Sequence, residues 1–190
     1  MKGHSKTSRL SKTTGQILSS SLRSGYPTCT PDFELTVVKA WHWADPDYDT
    51  REMARILRPG GTLAFIWNLE DRETATWVDQ IRTEYEKFEG DTPQFRLGWW
   101  KKTFDNASFK DSFDSPSHHH TRRSIPTNVS GVQDRVLSKS YIAVLPPNEK
   151  EVLKSKVVQI LGSADKAWIN EEEGVFEYPY VTTLVTTKRK

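Results

Sequence analysis

Residues 41–45, with the sequence Trp-His-Trp-Ala-Asp, place one imidazole between two indoles. Histidine changes its charge close to neutral pH, so His42 could take a proton from an acidic small molecule or hydrogen-bond its carboxylate. A histidine at this place could equally tie the end of a strand to a loop, because buried polar groups need partners. Both roles stay open from the residue types, and His42 is the candidate catalytic residue.

A second polar residue, Asn68, follows the apolar run of residues 62–67. This run does not alternate polar and apolar side chains, which is typical of a parallel strand covered on both faces in an α/β sheet. Residues 35–41 are rich in β-formers and predict another strand. Ligands of open α/β sheets bind beyond the carboxyl ends of the strands. His42 and Asn68 are therefore expected at one edge of the sheet.

A helix connects these two predicted strands. We expect it to stop at residues 58–61, Arg-Pro-Gly-Gly, because the residue before a proline disfavours helix and glycine adopts positive φ angles readily. Strand, helix and strand form a βαβ unit, so the sequence predicts the α/β class. Further strands are predicted at residues 119–125 and 180–187. Apolar residues at helical spacing predict helices in residues 77–90, 126–137 and 148–162.

Residues 91–116 are irregular in pattern and carry six aromatic side chains. These rings could line an apolar substrate pocket, or they could pack the segment onto the body of the domain. Trp99 and Trp100, together with Asn68, are the candidates for that pocket. Residues 118–120 are three histidines, for which we predict no metal site. Successive strand side chains point to opposite faces, and no nearby cysteine or spaced carboxylate completes a ligand set.

The charge distribution separates residues 1–31 from residues 32–190. The first segment is rich in Ser and Thr and carries five Lys or Arg residues but no Asp or Glu, so we expect a disordered basic tail. A mitochondrial transit peptide is an alternative interpretation of this tail. The whole chain has a net charge of +2, which leaves −3 on residues 32–190. A mildly acidic body does not resemble a nucleic-acid groove.

Length and cysteine content suggest one domain in a reducing compartment. The chain has 190 residues, which is enough for one packed core. Cys29 is its single cysteine and cannot form an internal disulfide, so we predict a cytoplasmic location. No apolar run approaches the ~20 residues of a membrane helix. We therefore expect no membrane contact.

The order of these motifs resembles a known family. Residues 41–45, the run RILRPGGTLAFIWN at residues 55–68 and the run YPYVT at residues 178–182 are similar to class I S-adenosylmethionine-dependent methyltransferases. The closest group is type 11, which includes trans-aconitate methyltransferase-like enzymes. The resemblance runs from Phe33 to the end of the chain and matches the carboxyl-terminal half of the family domain. It implies a partial Rossmann-like sheet with strand order 4-5-7-6 and flanking helices, lacking the first three strands.

The resemblance also implies a cofactor and roles for particular residues. In the family, S-adenosylmethionine lies beside the end of strand four, so Ala40, Trp41 and Trp43 would contact it and His42 would face the methyl acceptor. The family holds the cofactor mainly through a Gly-rich turn and an acidic ribose-binding residue on earlier strands. No G-x-G pattern precedes residue 35, and the acids there lie at the strand entry. We therefore expect this chain not to bind S-adenosylmethionine appreciably.

Two classes of function follow. The first is a small-molecule methyltransferase that is truncated and inactive in this form. The second is a non-catalytic remnant that binds a protein partner or a small apolar ligand. In both, the strand from Leu35 to Trp41, central in the family, would become an apolar edge that favours pairing with another chain. We expect self-association through this strand unless residues 14–24 cover it.

Overall fold

The computed structural model describes residues 33–38, as backbone, and residues 40–190. The predicted basic tail and Cys29 lie outside this part of the chain. The strands are β1 (Phe33–Val38), β2 (Leu57–Glu70), β3 (Ser117–Thr127), β4 (Trp168–Asn170) and β5 (Val175–Lys188). The α-helices are α1 (Tyr48–Ile56), α2 (Thr76–Glu86), α3 (Ala107–Ser112), α4 (Val129–Leu137), α5 (Ser140–Ala143) and α6 (Pro147–Gly162).

The five strands form one sheet in which neighbours follow the order β1, β2, β5, β3, and β4 pairs with β5. β1 and β2 run parallel, whereas β5 is antiparallel to both β2 and β3. The four predicted strand segments thus lie side by side, and the α/β class is confirmed. Their equivalence to strands four, five, seven and six of the methyltransferase fold stays a prediction.

Two hydrophobic cores cover the two faces of the sheet. The first core joins α2, α4, α5 and α6 to β5, with Ile81, Val132, Val157 and Tyr178 buried in it. The second core joins β2 to α1 and the aromatic segment, and Phe65 is buried in it. Side chains of a strand alternate between faces, so the burial of successive residues along β2 shows cover on both sides. The prediction of an interior strand is confirmed. No helix in residues 40–190 is both long enough and apolar enough to cross a membrane.

The start of β2 differs from the prediction that residues 58–61 form a turn after the helix. α1 ends at Ile56, and the Arg-Pro-Gly-Gly run of residues 58–61 lies within β2. Gly60 has a φ of 77°, and its N–H donates to the carbonyl of Arg189 at 2.8 Å. Arg189 N–H in turn donates to the carbonyl of Gly61 at 2.8 Å. Pairing with the end of the chain therefore extends β2 through the glycines, a long-range contact that local pattern does not show.

The end of β1 also differs from the prediction. The strand stops at Val38, and Trp41–Trp43 form one turn of 3-10 helix, so Trp41 is not a strand residue. Ala40 has a φ of 61°, which turns the chain out of the sheet. The indole of Trp41 then enters the second core, where it packs edge-on against Phe65 and donates to Thr103 Oγ1 at 2.9 Å. Burial of Trp41 thus replaces continuation of the strand.

The aromatic segment packs onto the domain through two short 3-10 helices, Phe95–Leu97 and Trp99–Asp105, followed by α3. Trp100 is 5% exposed and lies 4.4 Å, centroid to centroid, from the ring of Trp67. Its neighbour Trp99 is 48% exposed. Trp100 therefore packs the segment onto the domain, while Trp99 lies on the surface.

The two neighbouring tryptophans provide a matched test of this packing. We expect Trp100→Ala to lower the free energy of unfolding by about 3–5 kcal/mol, because a large buried ring leaves a cavity. Trp99→Ala should change it by about 0.5 kcal/mol or less, as surface substitutions do. Urea unfolding followed by circular dichroism measures both. Equal losses in the two variants would contradict this placement of the rings.

Candidate functional site

A cleft of about 170 Å³ opens at the carboxyl end of β2. The turn after β1 contributes His42, and β2 contributes Trp67 and Asn68. The remaining walls come from α2 and the residues after it, from the aromatic segment, and from α4 and α5. Its further lining residues are Leu69, Tyr85, Glu86, Glu89, Gln94, Phe95, Arg96, Arg135, Lys139, Ser140 and Tyr141. The predicted candidates His42 and Asn68 therefore share one cleft.

One hydrogen bond fixes the imidazole of His42. The indole N–H of Trp67 donates to His42 Nδ1 at 3.2 Å. An indole nitrogen can only donate, so Nδ1 must be the unprotonated nitrogen and Nε2 carries the hydrogen. Burial lowers the pKa of His42 to about 4. At neutral pH the ring is therefore an uncharged hydrogen-bond donor at Nε2, and general-base chemistry through that nitrogen is disfavoured.

Asn68 is oriented from the neighbouring strand. Thr182 lies opposite Asn68 on the neighbouring strand β5, and its hydroxyl donates to Asn68 Oδ1 at 2.6 Å. The amide nitrogen is then available to donate to a ligand. The cleft thus combines two neutral donors, His42 and Asn68, at the end of a parallel strand pair.

The other predicted residues lie around this cleft in different settings. Trp41 is buried in the second core, and Trp43 is 51% exposed beside His42. Trp100 supports the cleft from behind, because its ring packs on both Trp67 and Phe95. Trp99 does not line the cleft. Contacts of Ala40, Trp41 and Trp43 with a cofactor stay a prediction.

Sequence patterns missed the buried carboxylate of Glu70, the last residue of β2. Arg135 Nε donates to its Oε1 at 2.7 Å, and Lys139 Nζ lies 3.2 and 3.3 Å from its two oxygens. The phenol of Tyr85 donates to Oε2 at 3.1 Å. Burial alone would raise the pKa of Glu70, but Lys139 and Arg135 outweigh it and lower the pKa to about 2. Glu70 is therefore ionised at every physiological pH.

Further ion pairs extend from Glu70 along the wall of the cleft. Arg82 pairs with Glu86 at 2.7 Å and donates to the carbonyl of Glu70 at 2.8 Å. Arg96 donates from Nε to Glu89 at 2.9 Å, and the same carboxylate accepts from the phenol of Tyr141. We call this set the ion cluster; it comprises Glu70, Arg82, Glu86, Glu89, Arg96, Arg135 and Lys139. One sequence signal could have indicated this cluster. Residues 78, 82, 85 and 89 follow helical spacing, which places Arg82 on the buried face of α2.

The three consecutive histidines lie on β3, where His118 and His120 share one face of the strand and His119 lies on the other. His118 packs near the rings of Trp100 and Phe104, whereas His120 Nδ1 lies 3.0 Å from Thr183 Oγ1. In residues 40–190, no group of three or more His, Cys, Asp or Glu side chains is arranged to hold a metal ion.

His42 should make the stability of the protein depend on pH. The unfolded chain takes up a proton at His42 near its ordinary pKa of 6.5, whereas the folded protein takes it up near 4. Stability contributed by the neutral ring is therefore present above pH 6.5 and is lost as the pH falls toward 4. His42→Gln should flatten this part of the curve, because glutamine does not titrate. Glutamine can still accept the hydrogen bond from Trp67, so the packing is kept. Melting temperatures measured by calorimetry across this range test the expectation.

The control for this measurement is His119→Gln, because His119 is exposed on β3. It should leave the pH dependence as in the unchanged chain. Identical curves for the unchanged chain and His42→Gln would show that His42 is not held neutral by burial.

Relatives of known sequence support the family resemblance. No family model matches the chain. A protein named an uncharacterized methyltransferase from Mycobacterium tuberculosis H37Rv is 30% identical over 151 residues, which cover 80% of this chain and 56% of the relative. A methyltransferase-like protein from Schizosaccharomyces pombe is 25% identical over 122 residues, 64% of this chain and 46% of the relative. The chain thus spans about half the length of these curated relatives.

Solved structures support the fold. A protein described as a candidate type II methyltransferase from Anaeromyxobacter dehalogenans aligns with a TM-score of 0.50 and 13% identity, over 83% of this chain and 65% of that one. At this identity the likeness concerns the fold. The partial coverage fits a match to half of a methyltransferase domain. The chain is therefore related to proteins named methyltransferases and shares its fold with a solved protein described as a methyltransferase, which confirms the resemblance seen in its sequence.

Proposed function

We propose that this chain forms the acceptor-binding side of an S-adenosylmethionine-dependent small-molecule methyl-transfer site. The observation that carries the proposal is the pair of neutral donors, His42 and Asn68, in a cleft at the carboxyl end of β2. Ligands of open α/β sheets bind at this end of the strands. The relatives named methyltransferases support the reaction class.

The chemistry asked of this cleft is placement. S-adenosylmethionine would supply the methyl group as a sulfonium. The acceptor must be held in line with that group and shielded from water. His42 Nε2–H and the Asn68 amide would hold oxygen atoms of the acceptor, and the rings of Trp67 and Phe95, stacked at 4.8 Å, would exclude water. His42 would orient the acceptor as a donor and would not remove its proton.

The residues present fit only part of a cofactor site. The resemblance puts the methionine end of the cofactor beside residues 40–43. The sequence contains no G-x-G pattern to cradle the remainder. We therefore infer that these 190 residues neither bind S-adenosylmethionine appreciably nor turn it over by themselves.

A chimera separates the acceptor side from the cofactor side. In it, the part of the M. tuberculosis relative that precedes the matched region is joined ahead of residue 33. Isothermal titration should detect S-adenosylmethionine binding by the chimera but not by the 190-residue chain. A micromolar dissociation constant for the chain itself would overturn the inference of weak binding.

The same chimera tests the methyl-transfer proposal. Incubated with methyl-labelled S-adenosylmethionine and a mixed set of small acids, phenols and amines, it should transfer label to one of them. His42→Phe should remove most of this transfer, because the donor to the acceptor is lost. His119→Phe, on the exposed strand, should retain it. A chimera that binds the cofactor and labels none of the compounds, or is indifferent to His42→Phe, contradicts the proposal.

We also propose that β1 pairs with a second chain. In the described part of the protein, β1 has β2 as its one strand neighbour, at the end of the sheet. An edge strand without a partner favours pairing between chains. Size-exclusion chromatography with light scattering should show a mass that rises above 21.8 kDa with concentration. A constant monomer mass over a wide concentration range would refute the pairing.

A further inference from the structure

The ion cluster contains more cations than carboxylates. It has four cations, Arg82, Arg96, Arg135 and Lys139, and three carboxylates, Glu70, Glu86 and Glu89. Arg72 also reaches Glu86 at 3.4 Å, but its closer partner is Asp79 at 2.6 Å, which balances its charge. The cluster therefore holds one positive charge in excess. The cleft itself is lined by three of the cations and two of the carboxylates: Arg96, Arg135, Lys139, Glu86 and Glu89.

Lys139 is the least neutralised of these cations. Its side chain is 10% exposed, and its contacts with the Glu70 oxygens, 3.2 and 3.3 Å, are longer than the ~2.8 Å typical of an ammonium–carboxylate bond. Glu70 makes its close contact, 2.7 Å, with Arg135 instead. An ammonium has three protons, and the two contacts with Glu70 use at most two of them. Lys139 also lines the cleft, so an anion placed there can reach it.

The setting of Lys139 agrees with this assignment. Burial lowers the pKa of Lys139, and the neighbouring charge of Arg135 also lowers it, although Glu70 opposes both effects. The ring of Tyr85, whose centroid lies 4.2 Å from Nζ, adds a weaker attraction for the cation. An anion bound in the cleft would offset the free-energy cost of removing the ammonium group from water.

Aromatic planes form another part of the cleft. Trp67 and Phe95 line it, with their rings stacked at 4.8 Å and an interplanar angle of 21°. Trp100 packs behind both rings and holds them in place. Trp67 is only 6% exposed because Phe95 and Trp100 cover its faces, so the half-buried ring of Phe95 is the aromatic surface left to a planar ligand.

Together, the charge of Lys139 and the ring of Phe95 define a ligand. We propose that the cleft binds a planar aromatic carboxylate, with its carboxylate on Lys139 and its ring against Phe95. The interpretation of this ligand as the methyl acceptor rests on the proposed function, whereas its binding does not.

Benzoate is the probe, and benzamide is its matched neutral analogue. In the complete 190-residue chain, benzoate should bind saturably and shift the indole N–H resonance of Trp67 in a nitrogen-15 spectrum, while that of Trp99 stays in place. Benzamide should bind at least about tenfold more weakly, because a hydrogen bond to a charged group contributes about 1.5–3 kcal/mol. Cyclohexanecarboxylate should also bind more weakly than benzoate, because it lacks a planar ring.

Lys139→Met and Lys156→Met are the matched variants. The first should weaken benzoate binding about tenfold and leave benzamide binding nearly unchanged. The second removes an exposed lysine of α6 and should change neither affinity. Circular dichroism checks that Lys139→Met folds, and where it does not, the comparison of benzoate with benzamide in the unchanged chain decides.

Two results would overturn the inference: no saturable benzoate binding, or equal affinities for benzoate and benzamide. Neither result affects the methyl-transfer proposal, which depends on label transfer by the chimera. Conversely, a chimera without transfer leaves the benzoate result standing as a binding site.

Discussion

The packing around the cleft depends on one buried carboxylate, that of Glu70. It accepts hydrogen bonds from Arg135 of α4, from Lys139 and from the phenol of Tyr85 on α2. A single charge therefore joins the end of β2 to both α2 and α4. The carbonyl of the same residue accepts from Arg82. Removing one partner of a buried pair leaves an uncompensated charge and costs about 3–5 kcal/mol. The helices that form the cleft are thereby fixed to the edge of the sheet at which His42 and Asn68 lie.

Such a cluster is not needed for stability alone. Apolar residues of similar volume often replace a buried ion pair without loss. The first core packs α2 and α4 with apolar side chains such as Ile81 and Val132, so these helices have an apolar way to dock. The charges lie instead where this core meets the cleft. Their position is explained by a ligand that needs charge there, and the under-neutralised Lys139 supplies it.

The sequence predicted those parts of the fold that local pattern determines. The apolar run of β2, the β-branched run of β5 and the helical stripe around Ile81 all lie where they were expected. The end of β1 could not be predicted, because Trp41 leaves the sheet to bond Thr103, 62 residues away. Glu70 was missed for the same reason, since its cationic partners lie 65 and 69 residues further on. Local residue patterns do not encode such distant pairs.

The candidate site shows the same division between local and distant information. His42 and Asn68 could be placed at one sheet edge from strand direction alone, because His42 follows β1 and Asn68 lies near the end of the parallel strand β2. The protonation of His42 could not, because the residue that sets it, Trp67, contacts it only in the fold. The structural role and the chemical role of His42, which the sequence left as alternatives, rest on one hydrogen bond. By occupying Nδ1, Trp67 ties the turn to β2 and in the same contact makes Nε2 a donor for the cleft.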